Sequence, residues 1–321
     1  MSQGYPAPPS LRDGKLEAAL RTLELTVRRR LDGLLQGNHI GLVPGPGSEP
    51  GDARAYQPGD DVRRMDWAVT ARTTEPHIRQ TDADRELETW LVVDLSASLD
   101  FGTAACEKRD LAVAAVAAMV HLTRGGGNRI GAVVATGERT VRLPPRGGLA
   151  NARGLIRAIA EVPRAPEGTR GNLVEAIEQL RRPPRRRGLA VVISDFLGEP
   201  EWERPLRALS ARHDLLGVEV IDPRDLELPE VGTVVLADPE TGRQREVDTT
   251  PLLCREFAAA SAEHRERVAA ALRRCGAGHL VLRTDRDWIA DIVRFAVARK
   301  RQWSDPSGAG RSMAAAARIR R

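Results

Sequence analysis

The run Trp90-Leu-Val-Val-Asp94-Leu-Ser96-Ala-Ser98 constrains this chain more than any other stretch. Four apolar residues, two of them β-branched, lead directly into a carboxylate and two hydroxyls at alternate positions. A short continuous apolar run bounded by polar residues reads as a strand buried on both faces, the kind found inside a parallel sheet. Open α/β sheets bind ligands beyond the C-terminal ends of such strands. A second run, Leu189-Ala-Val-Val-Ile-Ser-Asp195-Phe196, repeats the arrangement and delivers another acid. A carboxylate with two hydroxyls offers hard oxygen donors of the kind Mg2+ prefers, with room for retained water. The plainer alternative is that Asp94 and Asp195 only cap the helices that follow them, since Asp is a favoured N-cap residue. The coincidence of two strand-end acids with both serines favours the metal site.

Period and punctuation extend the pattern along the chain. Leu16, Leu20, Leu23, Val27, Leu31 and Leu34 recur at threes and fours, which predicts an amphipathic helix ending near Gly37. Strands are expected at 77–80 and 86–94, both feeding the main sheet, then at 129–135, 140–143, from 189, 215–221, 233–237 and 279–282. Helices are expected at 107–122, 150–160, 173–180, 251–274 and 287–298. Strands and helices alternating at this spacing predict an α/β fold with a mainly parallel, doubly wound sheet and helices on both faces. Residues 1–13, rich in Pro and Gly, are expected to be disordered.

Composition narrows the functional classes. No stretch approaches the ~18 uncharged apolar residues of a membrane span, and the N-terminus lacks the apolar core of a secretory signal, so a cytoplasmic protein is expected. Cys106, Cys254 and Cys275 are odd in number and widely spaced, which fits buried free thiols better than a disulfide frame or a zinc site. The net charge of +5 is concentrated after residue 298, where seven basic residues face a single acid. The rest of the chain is close to neutral, so a broad nucleic-acid surface is not expected. Catalysis has little support: the chain has no Gly-x-Ser-x-Gly elbow, and its six histidines show no metalloprotease spacing.

Ahead of the first buried run lies Arg54-Ala-Tyr56-Gln-Pro-Gly59-Asp60-Asp61-Val-Arg63-Arg-Met-Asp66-Trp67, followed by Arg72. These residues form either a second polar surface for a partner or an internal lattice in which Arg63 and Arg72 pair with the acids while Tyr56 and Trp67 pack. The stretch resembles the signature of the domain-of-unknown-function family 58, whose members carry Tyr-x-x-Gly-Asp-Asp-x-Arg-x-x-Asp-Trp just before a von Willebrand factor A-like domain. The resemblance spans about residues 16–300. It implies an N-terminal helix and irregular signature segment over 14–88, a von Willebrand factor A-like domain over 89–300 and a basic tail over 301–321.

The same resemblance identifies Asp94, Ser96, Ser98 and Asp195 with a metal-ion-dependent adhesion site. Such sites add a threonine from the loop between the two acids. Thr169 is the nearest hydroxyl, but aligning Leu173 and Ala176 with the usual pattern puts Gly171 at that position, so both assignments stand at this point. The site is expected to hold Mg2+ or Mn2+ and to take an acidic side chain from a protein partner at an open coordination position. Family members often occur beside MoxR-type AAA+ ATPases, which implies such an ATPase as the partner of a non-enzymatic adaptor. A metal-independent interaction protein and a metal-dependent hydrolase are the alternatives.

Overall fold

The computed structural model describes residues 7–11, 16–34, 53–56, 65–73, 75–79, 87–124, 127–166, 168–169, 171–181 and 188–304. The first helix, α1 (Leu16–Leu34), turns Leu23, Val27 and Leu31 into the main core, as the spacing predicts. A bidentate pair between Arg30 and Asp287, with contacts of 3.1 and 2.6 Å, fixes its outer side. Of the stretch expected to be disordered, residues 7–11 lie within the described structure, where Leu11 N donates to Asp110 at 3.0 Å.

The signature segment contributes β1 (Ala53–Ala55), α2 (Trp67–Thr73) and β2 (His77–Arg79). The expectation that residues 77–80 feed the main sheet is corrected: β2 pairs antiparallel with β1 in a separate two-stranded ribbon. The reason is local. Asp66 N donates to His77 O and Tyr56 N donates to Pro76 O, both at 2.7 Å, so the backbone of this stretch is satisfied within its own segment.

From β3 (Glu88–Asp94) onward the chain builds the α/β domain. It continues through α3 (Lys108–Thr123), β4 (Arg129–Ala135), β5 (Thr140–Arg146), α4 (Leu149–Ala160), α5 (Leu173–Leu180), β6 (Gly188–Ser194), α6 (Glu203–Leu209) and β7 (His213–Ile221). A hairpin of β8 (Thr233–Ala237) and β9 (Gln244–Asp248) precedes α7 (Pro251–Arg274), β10 (Gly278–Arg283) and α8 (Trp288–Ser304). The six-stranded sheet has the order β10-β7-β6-β3-β4-β5, parallel throughout except for β5 at one edge. That antiparallel edge strand contains Pro144 and Pro145, residues an edge tolerates because they donate nothing to a neighbour.

Every residue of β3 and β6 is buried. Alternate side chains serve opposite faces: Leu91, Val93, Leu189, Val191 and Ile193 join α1, α3, α4 and α8 in one core. Trp90, Val92, Ala190 and Val192 join α5, α6 and α7 in the other. Being covered on both faces is why these strands read as continuous apolar runs rather than as alternating ones.

The segment 233–237 forms a strand where one is expected, but it does not enter the main sheet. It pairs with β9 in an exposed hairpin, while β10 forms the edge of the sheet beside β7. β9 and the short helices α2 and α6 have no clear counterpart in the sequence pattern. Gln-Arg-Glu-Val-Asp carries a single apolar residue, and seven-residue helices are too brief for a periodic stripe.

Candidate functional site

β3 and β6 are neighbours in parallel register, with Val93 opposite Ile193, so their ends emerge together at one edge of the sheet. The chain leaves β3 for α3 on one face and leaves β6 for α6 on the other. The strand order therefore reverses between them, opening a crevice at a topological switch point. Asp94, Ser96, Ser98 and Asp195 all lie there and are all buried.

The carboxylate of Asp94 is clamped from two sides. Its Oδ1 accepts from Ser96 N at 3.0 Å and its Oδ2 from the Ser194 hydroxyl at 2.8 Å. The hydroxyls of Ser96 and Ser98 are 3.3 Å apart, brought together by a 3-10 turn over Ala97–Asp100. Arg109 donates to Asp100 at 3.1 Å, pinning that turn to the start of α3.

Across the crevice, Asp195 Oδ2 accepts from Lys108 Nζ at 2.9 Å, and the same ammonium reaches Asp225 at 3.2 Å. Phe196, the residue after Asp195, has φ of 51°, the one positive value outside glycine among the described residues. A bulky residue in this region stores of order 1–3 kcal/mol of strain. The surroundings hold it there: its ring packs on Trp202 at 4.9 Å, and its carbonyl is 2.9 Å from His264 Nε2.

The loop between the two acids presents Gly171, not a hydroxyl, to the serines. A Cβ at Gly171 would come within 2.8 Å of Ser96 Cβ and 3.0 Å of its Oγ, so no side chain fits there. The methyl of Thr169 lies against Gly137 in the turn between β4 and β5. Gly168 N, one residue earlier, donates to Pro239 O at the tip of the β8–β9 hairpin at 2.9 Å.

Charge decides what this cluster can hold. Among the described residues Asp195 and Asp225 share the ammonium of Lys108, and Asp94 lies beside them with hydrogen bonds from Ser96 and Ser194. Burial, reinforced by the charge of Asp195 and opposed by hydrogen bonds from Ser96 and Ser194, pushes the Asp94 carboxyl up to about 6. Lys108 keeps its proton: burial acts against the charge, but Asp195 and Asp225 outweigh it and hold the ammonium above its ordinary range. The crevice is thus short of positive charge and lined with hard oxygens, which fits a small divalent cation. Among the described residues no group of three or more His, Cys, Asp and Glu is arranged around a metal position, so an ion here depends on the serine hydroxyls.

Lys108, Ser194 and Asp225 were not singled out by sequence reasoning. Ser194 sits inside the second run, one residue before Asp195. Lys108 carried a usable signal, because a lysine at the first position of a helix opposes the helix dipole.

The signature residues divide. Gly59, Asp60, Asp61 and Arg63 lie outside the described residues, as do residues 305–321 of the basic tail. Asp66 is buried and caps α2, accepting from Val69 N at 3.2 Å. Tyr56 is half-buried, Arg72 is exposed, and Trp67 stands 71% exposed, so its ring is not an internal packing anchor.

A family model described as "Protein of unknown function DUF58" matches residues 52–267. The chain is 64% identical over 299 residues to the uncharacterized protein Rv1480 of Mycobacterium tuberculosis, covering 92% of this chain and 94% of that protein. It is 40% identical over 97 residues to the "uncharacterized protein in moxR 3'region" of Paracoccus denitrificans, covering 30% of this chain and 89% of that one. Among solved structures, the conserved hypothetical protein BatB of Bacteroides thetaiotaomicron aligns with a TM-score of 0.40 at 14% identity, over 67% of this chain and 99% of that chain. Its site is carried on a mainly parallel α/β domain, and the chain belongs to the DUF58 family.

Proposed function

We propose that the chain is a divalent-cation-dependent protein-interaction module, an adaptor rather than an enzyme. Asp94, Ser96 and Ser98 would hold Mg2+ or Mn2+, with Asp195 positioned beside them. The observation that carries the reading is a buried oxygen cluster whose negative charge exceeds what Lys108 balances. Once bound, the ion would supply an electrophilic position for a carboxylate from outside. The protein's own part is to hold that position open: Gly171 places no side chain over it, and the clamp on Asp94 fixes the donor geometry. Among the described residues no histidine is hydrogen-bonded to Ser96, Ser98 or Ser194, so these hydroxyls lack the base that would make one of them a nucleophile.

The partner proposed is a MoxR-type AAA+ ATPase, which would place the pair in the cytoplasm. Support comes from the name of the Paracoccus denitrificans relative, which locates that protein in a moxR 3' region. No helix among the described residues is long and apolar enough to cross a membrane. The test is a pull-down of a MoxR-type ATPase encoded beside this gene, with Mg2+ and with EDTA. Capture that needs Mg2+ and is lost in a folded Asp94→Ala variant supports the reading. Capture unchanged by both removes it.

A second reading, contact without metal through the signature surface, is favoured by the exposure of Trp67. Large aromatic side chains left in solvent are disproportionately the anchors of protein interfaces. Capture that survives EDTA and fails with Trp67→Ala would select it.

A further inference from the structure

Lys108 stands where general rules would not put a lysine. It is the first residue of α3, at the helix end whose partial positive charge repels cations, and its side chain is 1% exposed. Two more buried charges follow it, Arg109 paired with Asp100 and Asp110 accepting from Leu11 N, before the helix becomes a nearly continuous apolar run from Leu111. A buried ion pair is usually no better for stability than apolar residues of the same volume. Stability of the fold is therefore a poor reason for this ammonium, and its contacts suggest another. It claims Asp195 Oδ2 at 2.9 Å, while the other oxygen of that carboxylate has only a long contact, 3.4 Å from Leu197 N.

Its second anchor is rigid. Asp225 closes a capped 3-10 turn at Pro223–Asp225, its Oδ2 accepts from Asp222 N at 2.9 Å, and its carbonyl accepts from the Ser261 hydroxyl at 2.6 Å. Asp222 is itself tied to Thr103 and Thr284. Lys108 is thus a tether between a fixed turn and the second acid of the crevice, and it holds Asp195 away from a free choice of partners.

We propose that Lys108 is a positioning residue that sets which cation the Asp94–Ser96–Ser98 site accepts, by withholding Asp195 from direct ligation. This rests on the metal-dependent reading above and adds a selectivity to it. Ca2+ seeks six to eight oxygens and is served by several carboxylates, whereas Mg2+ and Mn2+ are satisfied with one or two and retain water. With one oxygen of Asp195 engaged by an ammonium, the crevice offers the hydrogen-bonded carboxylate of Asp94 and two hydroxyls, a set suited to the smaller ions. A cavity that freed Asp195 would gain carboxylate oxygens and drift toward Ca2+.

The test is the double substitution Lys108→Met with Asp225→Asn in the full chain. It removes one positive and one negative charge, so the net charge of the crevice is preserved, and methionine fills the lysine's volume. Mn2+ binding is followed by the loss of the free-ion electron paramagnetic resonance signal, and Mg2+ and Ca2+ are measured by competition. The wild type should prefer Mg2+ to Ca2+, and the double variant should shift that ratio at least tenfold toward Ca2+. Lys108→Gln, which removes the charge but keeps a donor, should shift it in the same direction and serves if the double variant does not fold. Variants that bind Mn2+ with a wild-type Mg2+ to Ca2+ ratio overturn the role of Lys108 and leave the metal site standing. A wild type that takes up no Mn2+ overturns the site itself.

Discussion

Asp94→Asn should make the metal-free protein more stable at neutral pH while abolishing its response to metal. Burial and the charge of Asp195 raise the Asp94 carboxyl from 3.8 to about 6. Every tenfold loss of acidity on folding costs the ionised form about 1.4 kcal/mol, so the carboxylate destabilises the native state by roughly 3 kcal/mol at pH 7.5. The sign follows from proton binding. Between about pH 4 and 6 the native carboxyl keeps a proton that the unfolded chain has released, so this group's contribution to stability falls as pH rises through that window and levels off above it. Asparagine does not ionise and escapes the penalty. It does lose the acceptor for the Ser194 hydroxyl, a change of about 1 kcal/mol.

The net expectation is a gain of roughly 2 kcal/mol in EDTA at pH 7.5, or about 4–8 °C in Tm for a domain of this size. Thermal melts of both proteins from pH 4.5 to 8 supply the check, because groups unaffected by the substitution cancel in the difference. That difference should open between pH 4 and 6.5 and then stay flat. Mg2+ stabilises the wild type alone, so the gap narrows as metal is added and the ranking reverses at about a hundred times Kd, where the gain is about 2.7 kcal/mol. A difference curve without slope, or an asparagine variant less stable than the wild type in EDTA at pH 7.5, would refute the assignment of an electrostatically frustrated acid at position 94.

Further expectations address the loop, the helix and the strained residue. Gly171→Ala pushes a Cβ to 2.8 Å from Ser96 Cβ, so it should destabilise by about 1–3 kcal/mol in melts and weaken Mn2+ binding, whereas Thr169→Ala should leave Mn2+ affinity unchanged. Leu23→Ala removes a buried side chain of α1 from the main core, and urea unfolding should show a loss of about 2–5 kcal/mol if that helix belongs to the domain. Phe196→Gly relieves a φ of 51° but deletes the ring packed on Trp202. Losing a buried phenylalanine weighs about 3–5 kcal/mol against at most ~3 kcal/mol of relieved strain, so the variant should unfold at lower urea than the wild type.

How much of this was legible in the sequence depends on how far each feature is fixed by its neighbours along the chain. β3 and β6 announce themselves because burial on both faces demands apolar residues at every position, and the acids that end them mark where burial stops. The amphipathic stripe of α1 is equally explicit. The partition between the main sheet and the β8–β9 hairpin was not, since Thr233–Ala237 has the composition of a core strand and its pairing with β9, a segment with one apolar residue, leaves no local pattern. In the site, Asp94, Ser96 and Ser98 lie within five residues and are read together. Gly171 could be assigned only once the loop was placed against Ser96, because spacing alone left Thr169 equally eligible.

Lys108 and Asp225 show the limit most clearly. They are separated from Asp195 by 87 residues in one direction and about thirty in the other, and no local pattern joins the three. What the chain does display locally is a conflict, two cations opening a helix that turns apolar after its first three residues. The lysine's part of that conflict resolves only when two carboxylates arrive from elsewhere in the fold. Trp67 poses a conflict of the same kind: among the described residues this large aromatic side chain at the start of α2 stands 71% exposed, and capture of a partner by the wild type but not by Trp67→Ala would place its contact on another molecule.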